Sequence, residues 1–241
     1  MTRTAILSDI HGNLPALEAV VADAEARGCT QFLNLGDILS GPLWPAEVAN
    51  YLMARDWPTI AGNHERQVLT LPLDRMNATD RFTRERLSQP HLDWVAALPA
   101  TMALDQLFLC HGTPDSDLTH FLETIEPQGL RLATDAEVAR RLGDRPEALT
   151  LCGHSHLPGC RTLGDGRTVA NPGSVGLQAF HDDYPYPYVL EIGDPDARYA
   201  VLEDRALTFH AVAYDHRAAA AQAARAGRDD WAQALATGRA G

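Results

Sequence analysis

The chain has 241 residues, of which 45% are hydrophobic and 22% are charged, a composition typical of an ordinary globular protein. Its net charge of −12 excludes a general binder of nucleic acids or of acidic membrane surfaces, because phosphate backbones require clustered basic side chains. No apolar stretch approaches the ~18 residues of a membrane helix, so we expect no membrane partner. Because no Ser/Gly-rich or charged linker interrupts the chain, we expect a single domain over residues 1–241, and the cysteine pattern described below favours the cytoplasm.

The first third of the chain alternates short apolar runs with amphipathic segments. These predict strands at 4–7, 31–35 and 58–61 and helices at 14–27 and 45–55. Such a β-α-β-α-β order predicts parallel strands joined by right-handed crossovers. Sheets of this kind bind ligands beyond the carboxyl ends of their strands, and Asp9, Asp37 and Asn63 fall there.

The second part of the chain has a different hydrophobic pattern, which predicts more strands. Helical spacing continues over 64–98 and at 134–142. Strands are predicted at 101–104, 107–110, 148–152, 188–192, 199–203 and 206–212, with a hairpin around 164–166 and a surface loop at 181–184. Residues 217–241 form a helical C-terminal extension, which we interpret as a capping tail, with an interaction helix as the alternative.

The cysteines show no pattern of a metal or disulfide site. Cys29, Cys110, Cys152 and Cys160 have no CxxC spacing, and no secretory signal precedes them. Cys110 and Cys152 end apolar runs, where a small buried side chain fits. We therefore expect reduced thiols.

Five short blocks rich in His, Asp and Asn follow the strand-like runs. They are Asp9-Ile10-His11, Gly36-Asp37, Gly62-Asn63-His64-Glu65, His111-Gly112 and Gly153-His154-Ser155-His156. Each block alone is as readily a turn or a helix cap. Together they supply carboxylates, an amide and imidazoles without a thiolate, which suits transition metals rather than calcium. A two-metal site needs a bridging carboxylate, and Asp37 is the candidate.

The order of these blocks resembles the calcineurin-like metallophosphoesterases. Residues 7–18, 171–176 and 214–238 look especially similar to a small bacterial and archaeal phosphodiesterase-like branch of that superfamily. The resemblance implies an α/β fold, namely a four-layer α/β/β/α sandwich with two mixed sheets and an α-helical C-terminal tail. It covers nearly the whole chain.

The same resemblance implies a role for each ligand-type residue. One metal ion would be held by Asp9, His11, Asp37 and His156, and the second by Asp37, Asn63, His111 and His154. The ions would be divalent transition metals, manganese first, with iron, zinc, nickel and cobalt as alternatives. A bridging water or hydroxide would attack phosphorus in line, and His64 would assist departure of the leaving group. Glu65 is expected to orient a neighbour.

The sequence says less about the substrate. Asn13, Arg66, Asn171 and Ser174 are candidate substrate contacts, each with a turn or solvent-exposed role as the alternative. The segment 36–42 lacks the Arg that protein phosphatases of this superfamily carry there, which weakens that assignment. The leading hypothesis is hydrolysis of a phosphodiester or a small phosphomonoester. A nucleotide or dinucleoside polyphosphate hydrolase and a non-catalytic scaffold on the same fold are the alternatives, and the oligomeric state stays open.

Overall fold

The computed structural model describes residues 3–241, in which two mixed sheets form the centre. The first sheet contains, in spatial order, β13 (Ala206–Val212), β12 (Ala197–Glu203), β1 (Arg3–Leu7) and β2 (Cys29–Asn34). The second contains β3 (Thr101–Leu104), β4 (Leu107–Cys110), β7 (Leu149–Leu151), β9 (Thr168–Asn171) and β8 (Gly159–Thr162). Two separate hairpins pair β5 (Glu123–Glu126) with β6 (Gly129–Leu132) and β10 (Ala179–Asp182) with β11 (Tyr188–Glu191).

Eight α-helices accompany these strands in the described part of the chain. They are α1 (Leu14–Ala26), α2 (Pro45–Met53), α3 (Asn63–Thr70), α4 (Ala78–Arg84), α5 (Gln89–Ala97), α6 (Asp135–Leu142), α7 (His216–Arg225) and α8 (Asp229–Thr237). In α1, the Asn13 side chain accepts a hydrogen bond from Ala16 N at 3.3 Å, which caps an otherwise unpaired amide. Among residues 3–241, none of these helices has the length and apolar character needed to cross a bilayer.

The alternation of side chains along the central strands produces the layers. Ala5 and Leu7 of β1 pack with α1, α2 and α5, whereas Ile6 points to the opposite face and packs between the two sheets. In β4, Leu109 joins the core between the sheets, and Phe108 packs with α6 on the outer side. Both sheets are therefore buried on two faces, and the expected mixed α/β sandwich is confirmed.

Parallel pairing in the first sheet is less extensive than predicted. β1 and β2 are parallel with α1 as the crossover, and β1 pairs antiparallel with β12 on its other side. The predicted strand at 58–61 is wrong, because only one bridge, between Asn34 and Thr59, forms there. Pro58 has no N–H to donate, and Ala61 N donates to Pro99 O at 2.8 Å, away from β2.

One hairpin was missed, and one further prediction is wrong. The β5–β6 hairpin was not predicted, and residues 181–182 belong to β10 rather than to a surface loop. The two short C-terminal helices are confirmed, and they meet at Gly227, whose φ of +73° ends the first of them. Through Trp231, Ala219 and Ala223 they pack against Leu43 and Leu177, beside the blocks of predicted ligands.

Candidate metal centre

Two groups of ligand-type atoms lie where the strands end. The first group is Asp9, His11 and His156, and the second is Asp37, His111 and His154. Within each group the candidate ligand atoms lie within 4.8 Å of one another. Asp9 Oδ1 is also 3.9 Å from His111 Nε2, so the two groups adjoin. Sequence blocks separated by more than a hundred residues thus converge at one place.

Asn63, the seventh predicted ligand, completes the second group. Its side-chain oxygen lies 3.1 Å from Asp37 Oδ2, 3.1 Å from His154 Nδ1 and 3.2 Å from His111 Nε2. An amide oxygen only accepts hydrogen bonds, as does a carboxylate, so this orientation is favourable when a cation lies between these atoms. Turning the amide over would let its NH₂ group donate instead. The oxygen-inward orientation is the one that fits a metal ion.

Backbone carbonyls fix the tautomers of three histidines. The Nδ1 atoms of these rings lie 2.7 to 2.8 Å from main-chain oxygens, in the pairs His11–Ser40, His111–Leu35 and His156–Leu177. A carbonyl can only accept, so each Nδ1 carries the proton and each Nε2 faces the centre. Carbonyl partners of this kind orient metal-binding imidazoles.

The His11 ring directs an unprotonated nitrogen at the first group. His11 Nε2 and His156 Nε2 are 3.1 Å apart. Burial, assisted by His156, lowers the pKa of His11 to about 3, so His11 Nε2 carries no proton at neutral pH. A buried lone pair that faces another ring nitrogen is unfavourable unless a proton or a metal cation lies between them. The donor set therefore fits a divalent metal ion.

The second group pairs a buried carboxylate with a histidine that holds a proton. Burial opposes ionisation of Asp37, but His111 and His64 hold the pKa of its carboxyl well below the ordinary value. Burial alone would lower the pKa of His111, yet Asp37, 3.0 Å from its Nε2, raises it to about 10. A metal ion bound here would take the place of that proton.

Most of the predicted ligands lie on strained backbone. Five of them have φ between +49° and +68°, namely Asp9, His11, Asp37, His154 and His156. The left-handed region costs a non-glycine residue about 1–2 kcal/mol. The other non-glycine residues with positive φ in the described chain lie in the β3–β4 and β12–β13 turns, where such values are ordinary. Strain concentrated in ligand loops is typical of a functional site.

Glycines and one buried carboxylate hold the loop around Asp37. A Cβ on Gly62 would collide with Asp37 Oδ1, and one on Gly153 would come within 2.8 Å of Asp9 Oδ2. Glu65 Oε2 accepts from Asp37 N at 2.8 Å and from Gly62 N at 2.9 Å, while its Oε1 accepts from Ile38 N at 2.9 Å. The orienting role predicted for Glu65 is thus confirmed.

His64 lies beside the candidate ligands without belonging to either group. Its Nε2 is 4.0 Å from Asp37 Oδ2, and its Nδ1 lies 2.7 Å from Asp80 Oδ1. Burial opposes protonation, but the Asp37 and Asp80 carboxylates raise the pKa of His64 to about 9. In this environment the His64 ring holds a proton at neutral pH, and its Nε2 faces Asp37.

Asp80 was not predicted as a site residue. It is fully buried in α4, and its Oδ1 also accepts from Ser40 Oγ at 2.6 Å. Its sequence context, an acid three residues after the helix cap Asn77, is an ordinary helix start. Only the packing of α4 against the loop after β2 reveals its contact with His64.

The four predicted substrate contacts have other partners in the structure. Asn13, Asn171 and Ser174 are buried and hydrogen-bonded to loop backbone, Ser174 through Asp9 O at 2.8 Å. The Arg66 guanidinium is paired with Asp117 at 2.6 Å. None of the four lines the cavity at the centre, and their role as substrate contacts stays a prediction.

A buried polar cluster of His120, Glu123 and Tyr188 packs against the His154 ring. The His120 ring packs edge-on to His154 with 5.0 Å between centroids, and Tyr188 Oη lies 3.1 Å from His120 Nε2. His120 Nδ1 and Glu123 Oε2 are 3.9 Å apart, and neither has a hydrogen-bond partner within residues 3–241. Burial raises the pKa of Glu123 to about 7.

Glu123→Gln should therefore change the pH dependence of stability. A carboxyl with a raised folded pKa holds its proton more tightly in the folded state, so stability falls as pH rises from about 4.5 to about 7. Glutamine does not ionise, and we expect a gain of roughly 3 kcal/mol at pH 8 and under about 1 kcal/mol at pH 5. Urea denaturation with a chelator present measures both values. Equal effects at the two pH values would contradict this assignment.

Comparison with known proteins agrees with this geometry. The model of the calcineurin-like phosphoesterase superfamily domain matches residues 2–194. An uncharacterized protein of Methanocaldococcus jannaschii is 27% identical over 195 residues, which cover 71% of this chain and 75% of that protein. A metallophosphoesterase from Sphaerobacter thermophilus has 25% identity and a TM-score of 0.77, with 98% of this chain and 99% of that chain covered.

A hypothetical protein from Pyrococcus horikoshii has the same architecture at lower identity. Its structure matches with a TM-score of 0.76 and 18% identity, and the match covers 100% of both chains. At this identity the likeness concerns the fold. The C-terminal helices are thus part of an architecture found in other solved structures.

Proposed function

Because the chain belongs to the calcineurin-like phosphoesterase superfamily, we propose that it is a dinuclear-metal-dependent hydrolase of a phosphodiester or a small phosphomonoester. The observation that carries the proposal is the convergence of two buried groups of ligand atoms, one in which His11 Nε2 and His156 Nε2 are 3.1 Å apart and one built on Asp37. Such an arrangement is costly in a protein that binds no cation. We propose manganese as the first metal to test.

The two groups of residues have separate tasks in this proposal. Asp9, His11 and His156 would hold one ion, and the residues around Asp37 the other, with Asp37 shared. Divalent ions at such sites supply Lewis acidity, neutralise phosphoryl charge and lower the pKa of water. The protein's own contribution is a rigid, buried set of ligands whose orientation is fixed by backbone carbonyls and by Glu65.

His64 is proposed to protonate the leaving-group oxygen. Its Nε2 is directed toward Asp37, while Nδ1 is held by Asp80. A leaving alkoxide is strongly basic, so a proton delivered at that oxygen as the P–O bond breaks lowers the barrier. Asp80 then keeps the ring oriented and stabilises its charged form, and we regard it as a positioning residue.

Purified protein supplied with Mn²⁺ should hydrolyse bis-p-nitrophenyl phosphate or p-nitrophenyl phosphate. We expect EDTA to abolish this turnover and added Mn²⁺ to restore it, because the ligand atoms cannot activate water by themselves. Release of p-nitrophenol measures the rate, and elemental analysis gives the metal content. A folded, metal-loaded sample that turns over neither ester nor any member of a nucleotide panel would refute the proposal.

A further inference from the structure

A cavity of about 540 Å³ opens directly beside the two ligand groups. This volume lies in the range of sites that enclose a whole small-molecule ligand, so it exceeds the needs of a phosphate group alone. His11, Asp37, Asn63 and His64 lie in its wall. The rest of the wall can therefore contact the leaving group of the substrate.

One side of this cavity is built by the C-terminal helices, beyond residues 2–194. Trp231 of α8 lines it and packs edge-on to the ligand His11, with 5.8 Å between ring centroids and an interplanar angle of 76°. The indole is only 8% exposed, because Ala219, Ala223 and Leu235 pack around it. The tail is thus a fixed wall of the cavity and adjoins a predicted metal ligand.

Arg228, just before α8, brings a guanidinium that is paired with Asp230 to the same wall. Its guanidinium carbon lies 5.8 Å from the Trp231 ring. Asp230 accepts from Nε at 2.8 Å and from Nη2 at 2.5 Å, which fixes the plane of the guanidinium. Nη1 makes no hydrogen bond within residues 3–241. Histidines aside, no other basic side chain of the described chain lines this cavity.

The net negative charge of the protein makes this arginine important for binding an anionic substrate. A chain of net charge −12 repels an anionic ligand except where a cation is held, and the predicted metal ions account for only the reacting phosphate. A second anionic group in the leaving part of the substrate would need its own partner. A guanidinium presents the donor geometry that matches phosphate oxygens.

We propose that Arg228 selects substrates whose leaving group carries a second phosphate, as in a nucleoside diphosphate. The inference rests on the proposed two-metal hydrolytic centre and extends its substrates from phosphoesters to the phosphoanhydride of such a nucleotide. Phe180 and Tyr184 of the adjoining β10–β11 hairpin also line the cavity, and their rings suit the planar base of a nucleotide.

The test compares binding of two ligands to protein loaded with Mn²⁺. Adenosine 5′-(α,β-methylene)diphosphate, which cannot be cleaved at its bridge, carries the second phosphate, and inorganic phosphate does not. Arg228→Gln should weaken binding of the analogue by about 10-fold or more and leave phosphate affinity within about twofold. Isothermal titration calorimetry measures both constants, and thermal denaturation verifies folding.

Arg225→Gln is the matched control, because it removes an equal charge from the same tail at a residue outside the cavity wall. It should change neither constant. Unchanged binding of the analogue to Arg228→Gln, or an equal loss for both ligands, would overturn the inference. So would a native protein that binds the analogue no more tightly than phosphate. Hydrolysis of the two p-nitrophenyl esters and of the nucleotide panel, measured in parallel, decides the proposed function separately.

Discussion

Asp37→Asn is expected to abolish stable binding of at least one metal ion and to lower turnover of bis-p-nitrophenyl phosphate by on the order of 10³ or more. The carboxylate is buried, its Oδ2 lies 3.0 Å from His111 Nε2, and the Asn63 oxygen is 3.1 Å away. The amide has nearly the same shape but no charge. Metal-supplied stabilisation of several kcal/mol corresponds to a loss of this size. Elemental analysis after gel filtration measures the bound metal.

Asp182→Asn provides the matched control for this loss. Asp182 is another acidic residue in the wall of the same cavity, but it lies outside both ligand groups. The control variant should retain the full metal content. If Asp37→Asn kept both ions, or if Asp182→Asn lost one equally, the assignment of Asp37 as a shared ligand would fail.

The candidate centre could be predicted largely from local sequence because its ligands are supplied by short blocks at strand ends. Asp9 and His11 follow β1, Asp37 follows β2 and His111 follows β4, so strand prediction alone brings them to one side of the sheets. The strained φ values of these residues are a tertiary property. They persist because glycine neighbours and the Glu65 carboxylate hold the loops in place.

Other features depend on contacts between distant segments and leave no local pattern. Asp80 is an ordinary acid near a helix start until α4 packs against the loop after β2. Trp231 likewise reads as an apolar position of a tail helix, and its contact with His11 requires the packing of α8. The strand predicted at 58–61 failed because apolar composition says nothing about which amides find a sheet partner.

His64→Ala should slow turnover in proportion to the basicity of the leaving group. An alkyl phosphodiester needs a proton at the departing oxygen, and we expect its rate to fall by about 10²–10⁴. p-Nitrophenolate is stable without a proton, so the rate with bis-p-nitrophenyl phosphate should fall much less. Both ions should remain bound, because His64 belongs to neither ligand group. An equal loss on both esters, or loss of metal, would contradict a role in leaving-group departure.

The Asp80→Asn variant distinguishes a role of Asp80 in orienting His64 from a purely structural role in the packing of α4. The amide preserves the volume of a fully buried side chain but removes the charge that faces His64 Nδ1 at 2.7 Å. We expect about a 10-fold loss on the alkyl ester, little loss on the p-nitrophenyl ester and unchanged metal content. Ser40→Ala removes the hydroxyl that donates to the same carboxylate oxygen at 2.6 Å and leaves its charge, so it should cost less. A uniform loss on both esters in Asp80→Asn would mean that the residue only supports the fold of α4, since a purely structural defect cannot depend on which alcohol departs.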